Sequence, residues 1–232
     1  MLPLLACASK FNWSLEVDPH SPAGRYLSYM LRKSGSPVGG SSYLAPVKLP
    51  PSASECEVVL EGLYSLQTKS KFVQNNQMAF KYTIAELVDN IYEHSEFHYA
   101  YVMAQKYPQG RYIELCFFDD GISIPGSFEK IGRHYDSGAH TGAIMDAIRG
   151  ASTKPEVGRG YGLSTNVEMF RDIGGEVLIV SGNGAIYLDK GSIVPYMLNM
   201  TSRMDGTLIS LRVQDRPRIV KLYEYVQARS SV

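Results

Sequence analysis

The chain reads as an α/β fold: a two-layer sandwich, with helices on one face of a mixed, mainly antiparallel sheet and an N-terminal extension ahead of it. Three observations predict its layers. Residues 84–95 have helical periodicity, with Ile84, Leu87, Val88 and Ile91 on one stripe and Glu86, Asn90 and His94 on the next. Two stretches, 99–118 and 176–189, read as hairpins around Pro108-Gln109-Gly110 and Gly182-Asn183-Gly184. A last strand-like run covers 206–213, and helical segments alternate with the hairpins.

Taken in order, 11–17 alternates as a strand and stops at Asp18-Pro19. Ser21-Pro22 is a helix start with proline at its first position, and the helix runs over 24–33. Residues 34–54, rich in Gly, Ser and Pro, read as a loop or linker. Residues 55–66 fit a helix or a strand equally well. A long helix is predicted over 74–95. The second strand of the first hairpin, 111–118, delivers Asp119 to its C-terminal end. Residues 126–157 form a long polar connection containing a short helix over 141–149, capped by Thr141. A helix over 163–172 ends at Gly174-Gly175, and 219–228 closes the chain as a helix. This divides the chain into an extension or small appendage, 1–53, and a main domain, 54–232.

With 23 basic and 23 acidic side chains, net charge is zero, so no nucleic acid or anionic membrane is indicated as partner. Cys7, Cys56 and Cys116 are odd in number and far apart, which fits reduced thiols in a cytoplasmic protein. The apolar start, 2–8, is too short for a signal peptide, and no run of about 18 apolar residues predicts a membrane span.

Three stretches carry chemistry. Glu86 and Asn90 are one helical turn apart. Asp119-Asp120-Gly121-Ile122-Ser123 follows an apolar strand. Gly158-Arg159-Gly160-Tyr161-Gly162-Leu163 is a glycine loop running into a helix, a ready anion site. A Rossmann reading of this loop fails for want of a preceding strand and a βαβ unit, and a Walker A reading for want of Lys-Ser/Thr.

In this order the three stretches resemble the N, G1 and G2 boxes of the GHKL superfamily: the gyrase, heat-shock-chaperone, histidine-kinase and mismatch-repair ATPases. The first and third match in full. In the second, Ser123 stands where a second glycine is usual, which bears on the hinge of the lid. The style is closest to histidine-kinase and anti-sigma-factor-kinase domains. The resemblance implies that Asn90 ligates Mg²⁺, a role suited to a hard amide oxygen. It implies that Glu86 orients or deprotonates a water at the γ-phosphate of ATP, and that Asp119 accepts a hydrogen bond from the adenine amino group, with Asp120 as the alternative. Gly121 lets the backbone approach the base. Gly158, Gly160, Gly162 and Leu163 belong to the phosphate loop, with Lys154 and Arg159 as nearby cations. Thr207 adds a hydroxyl near Asp119 or simply favours its strand, and 126–157 takes the place of the ATP lid. His94 is read as a packing or capping residue. His134 and His140 have no metal-ligand companions and are assigned nothing.

Two activities follow from the resemblance. One is a stand-alone kinase that passes the γ-phosphate to a partner protein. His20, followed by Ser-Pro, does not resemble a phosphoacceptor. The other is an ATPase switch whose lid closure controls a partner, supported by Glu86. About twenty residues follow Val213, too few for a transducer domain. A nucleotide sensor without catalysis is a third reading, disfavoured by the presence of both Glu86 and Asn90. A protein partner is expected, and a homodimer is compatible with the resemblance.

Overall fold

The computed structural model describes residues 1–12, 14–36, 42–65, 70–136, 138, 140–151, 153, 162–216 and 219–230. They form an α/β fold around one open sheet. The strands are β1 (Tyr43–Lys48), β2 (Ala100–Tyr107), β3 (Tyr112–Asp119), β4 (Glu176–Gly182), β5 (Gly184–Asp189), β6 (Ser192–Met197) and β7 (Met204–Gln214). Their order is β1-β2-β3-β7-β4-β5-β6. Every neighbouring pair is antiparallel, so the sheet is not mixed. Both predicted hairpins are present, and the last strand inserts between them at the centre.

One face of the sheet is covered by α3 (Glu57–Tyr64), α4 (Lys71–Asn75), α5 (Gln77–His94), α6 (Ser123–Glu129), α7 (His140–Ile148), α8 (Gly162–Asp172) and α9 (Leu222–Ser230). Strand residues alternate, so Val102, Leu115, Phe117, Ile179, Ile209 and Leu211 meet Ile84, Leu87, Val88 and Ile91 of α5 in the main core. Each such fully buried aliphatic or aromatic side chain contributes roughly 1.5–3 kcal/mol. The opposite face, through Tyr101 and Phe118, receives Leu2 and Ala6 of α1 (Leu2–Phe11). On the same side, Tyr26 of α2 (Pro22–Lys33) donates its hydroxyl proton to Gln105. The start of α2 is as expected, with the Ser21 side chain accepting from the Gly24 N–H at 2.9 Å.

Several local expectations need correction. The described residues within 11–17 form no strand; α1 ends at Phe11 with Asn12 in the left-handed conformation, φ 53°. The stretch 34–54 is not merely a linker, because it contains β1, with an irregularity in register between Leu44 and Val47 around Pro46. Thus part of 1–53 belongs to the main sheet. Of the stretch 55–66, Glu57–Tyr64 forms helix α3 after a 3-10 turn, Ala53–Glu55, so the helical alternative holds. The long helix breaks at Asn76, whose side chain donates to the Phe72 carbonyl at 2.7 Å and accepts from the Val220 N–H at 2.6 Å. Within 126–157 the described residues are not a bare connection, since α6 enters it and α7 starts at His140, one residue before the expected Thr141 cap.

Candidate functional site

The sequence places polar side chains on α5 between apolar ones, and packing decides where they face. A cavity of about 100 Å³ is bounded by the end of α5, the ends of β3 and β7, α6, α7 and the start of α8. Asn90, His94, Asp119, Ser123, Leu163 and Thr207 are among its lining residues. Five of these six had been singled out from the three motifs and the Gly-Thr strand start. His94, read from the sequence as a packing or capping residue, also lines the cavity, and its Nδ1 lies 3.2 Å from the Thr153 hydroxyl.

Asp119 ends β3 opposite Thr207 of β7. Its side chain is 4% exposed. Burial pushes the carboxyl up to about 7 from an ordinary 3.8, and the Asp120 charge adds to the rise. Main-chain N–H groups of Gly121 and Thr207 oppose the shift, the former donating to Oδ1 at 3.0 Å. Asp120 has a different task. Its Oδ1 accepts the His98 and Tyr99 N–H groups at 2.8 and 2.7 Å, which staples the loop to the start of β2. Asp119 is therefore the carboxylate offered to the cavity, and Asp120 the one that holds the loop.

Gly121 is set by close approach. A Cβ there would stand 2.0 Å from the Ser95 carbonyl oxygen, which itself accepts the Ile122 N–H at 2.7 Å. Ser123 has φ 69°, a left-handed backbone that glycine adopts freely and serine adopts at a cost of roughly 1–2 kcal/mol. The serine hydroxyl accepts the Gly126 N–H at 3.4 Å in the first turn of α6.

Glu86 is half-buried and lies against the start of α8. A Cβ on Gly162 would come within 1.8 Å of its Oε2. A carboxylate is favoured there by the helix dipole. Farther along the same interface, the Thr83 hydroxyl donates to Asn166 Oδ1 at 3.0 Å, and the fully buried Asn166 Nδ2 has no hydrogen-bond partner among the described residues. Lys154, Gly158, Arg159 and Gly160 lie outside the described residues.

No protein-family model matches the chain, and no curated protein matches it. Among the described residues no group of three or more His, Cys, Asp or Glu could hold a metal ion. A divalent cation at Asn90 would take few protein ligands and draw the rest from phosphate and water, which is how magnesium is held in nucleotide sites. No described helix is long and apolar enough to cross a membrane.

Two residues escaped sequence reasoning. His140 is buried at the start of α7, and its Nδ1 accepts the Asn183 N–H at 3.1 Å from the turn between β4 and β5. Burial lowers its pKa, which favours the neutral imidazole that this bond requires. Ser181 of β4 is fully buried, and its hydroxyl contacts α6 and β7 together. Neither belongs to a local motif, because each partner lies more than forty residues away or on another strand.

Proposed function

We propose that this chain is an Mg-ATP-binding module of GHKL type that acts as a stand-alone, histidine-kinase-like or anti-sigma-type protein kinase. The observation that carries the reading is Asp119, a buried carboxylate on the cavity floor between Gly121 and Thr207. Such a group is costly unless a ligand donor uses it. An exocyclic amino group of a purine supplies that donor. Asn90, which also lines the cavity, would hold Mg²⁺ through its amide oxygen, and the ion would supply charge neutralisation at the phosphates. The γ-phosphate then passes to a hydroxyl or imidazole of a partner protein.

The position of Glu86 supports a second reading, an ATPase switch that controls partner binding through the lid. Its carboxylate lies at the start of α8, beside the end of the glycine loop. A general base for water belongs near that loop.

One experiment separates the two. The purified chain is incubated with Mg-ATP labelled at the γ-phosphate, following both free phosphate and protein-bound label, with Glu86→Ala in parallel. Phosphate release that depends on Glu86 supports the switch. Tight binding without release supports the kinase, and label transferred to an added partner completes the case. Asn90→Ala and Asp119→Ala are expected to abolish binding or activity, and normal ATP affinity in both would sink the site assignment.

A further inference from the structure

We infer that Ser181 is a specificity-determining positioning residue: it takes the hydroxyl proton of Thr207 and so leaves Thr207 an obligate acceptor beside Asp119. The inference rests on the purine-nucleotide reading of the cavity and deepens it.

A serine hydroxyl has one proton to donate and two lone pairs to accept with. Ser181 has a partner for each. The Ile124 N–H, at 2.8 Å, can only donate to it. The Gly206 carbonyl, at 3.1 Å, can only accept from it. The remaining neighbour is the Thr207 hydroxyl at 2.9 Å. With the Ser181 proton committed to Gly206, the hydrogen bond between the two hydroxyls requires Thr207 to be the donor. Ser181 is fully buried, so water cannot substitute for any of these partners.

The consequence appears on the other side of Thr207, which lines the cavity. Its proton is turned inward, so it presents only lone pairs to a ligand. Asp119 is its cross-strand neighbour and, when ionised, is also acceptor-only. Two adjacent acceptors select a ligand edge that donates, such as the 6-amino group of adenine. They reject a 6-oxo group, which would face lone pairs with its own. Discrimination of this kind is strong because the mismatched polar groups are left unpaired. Ser181 touches no ligand, but it sets the polarity of one that does.

The test compares Mg-ATP with Mg-ITP, in which a 6-oxo acceptor and an N1–H donor replace the 6-amino donor and N1 acceptor of adenine. Affinities are measured by calorimetry at pH 8, where Asp119 is mostly ionised, for wild type, Ser181→Ala and Thr207→Val. Wild type is expected to prefer ATP. Ser181→Ala frees the Thr207 hydroxyl to turn toward the cavity and donate, and is expected to narrow the ATP-to-ITP ratio about tenfold, the scale of one hydrogen bond. The same substitution in a Thr207→Val background should leave the ratio as Thr207→Val alone sets it. A merely structural role predicts equal loss for both nucleotides, and an unchanged ratio overturns the inference. Should Ser181→Ala not fold, Thr207→Val decides, because an unchanged ratio there removes Thr207 from base selection. A wild type that binds ATP without preferring it to ITP overturns the inference alone. One that binds neither nucleotide overturns the nucleotide reading as well.

Discussion

At Asp119 the folded-state pKa near 7 arises because β3 carries the carboxyl beneath the helix layer, where the charged form loses its water. The folded chain therefore holds a proton that the unfolded chain releases between about pH 4 and 7. Stability from this group is fully present below that window and is lost as pH rises through 7. At pH 8 the ionised carboxylate costs on the order of 4 kcal/mol as an upper bound. Asp119→Asn is expected to raise the denaturation midpoint at pH 8 while leaving it nearly unchanged below pH 4. A pH-independent difference between the two proteins would count against a buried, titrating carboxylate. On the proposed nucleotide reading, an amino donor would bind the ionised form, so ATP affinity is expected to fall as pH is lowered through 7. Asp119 could be found from its place at the end of an apolar strand before glycine. Its perturbed chemistry could not, since desolvation depends on the helices packed over it.

Among the elements, α5 and α8 set the geometry of the cavity wall, and one polar contact registers them. Thr83 donates to Asn166 while Asn166 Nδ2 stays buried without a partner among the described residues. Replacing both residues by apolar groups of similar shape removes two desolvated polar groups together, whereas removing one strands the other. Asn166→Leu alone is expected to destabilise by about 1–3 kcal/mol, the cost of an unsatisfied buried group. Thr83→Val with Asn166→Leu should recover most of that loss in urea denaturation, and an additive double variant would show that the pair does not interact. The helical stripe on α5 was legible because a period of 3.6 is written in consecutive residues. The break at Asn76 was not, because the bond that favours it comes from Val220, 144 residues later.

For the molecule as a whole, α1 closes the part of the sheet left open by the main helix layer. Leu2 and Ala6 bury themselves on Tyr101 and Phe118, and the Ser9 hydroxyl meets the Tyr101 hydroxyl at 2.7 Å. Leu2→Ala should cost about 2–4 kcal/mol of global stability through the cavity it leaves. On the proposed function ATP affinity should be unchanged, because the cavity lies on the opposite, helix-covered face. A loss of affinity without loss of stability would tie α1 to the site instead.

By itself the sequence determined the two hairpins and the striped helix that carries Glu86 and Asn90, because each is encoded in residues close together along the chain. Tertiary structure alone decided β1 and β6. Each strand contains a proline, Pro46 or Pro195, and lies at an edge of the sheet, where pairing on one side is enough. It also decided that Asp119 faces the cavity while Asp120 holds the loop, and that Ser181 reaches Ile124, Gly206 and Thr207 at once. Those outcomes depend on strands far apart in the chain becoming neighbours, and no local pattern carries that information.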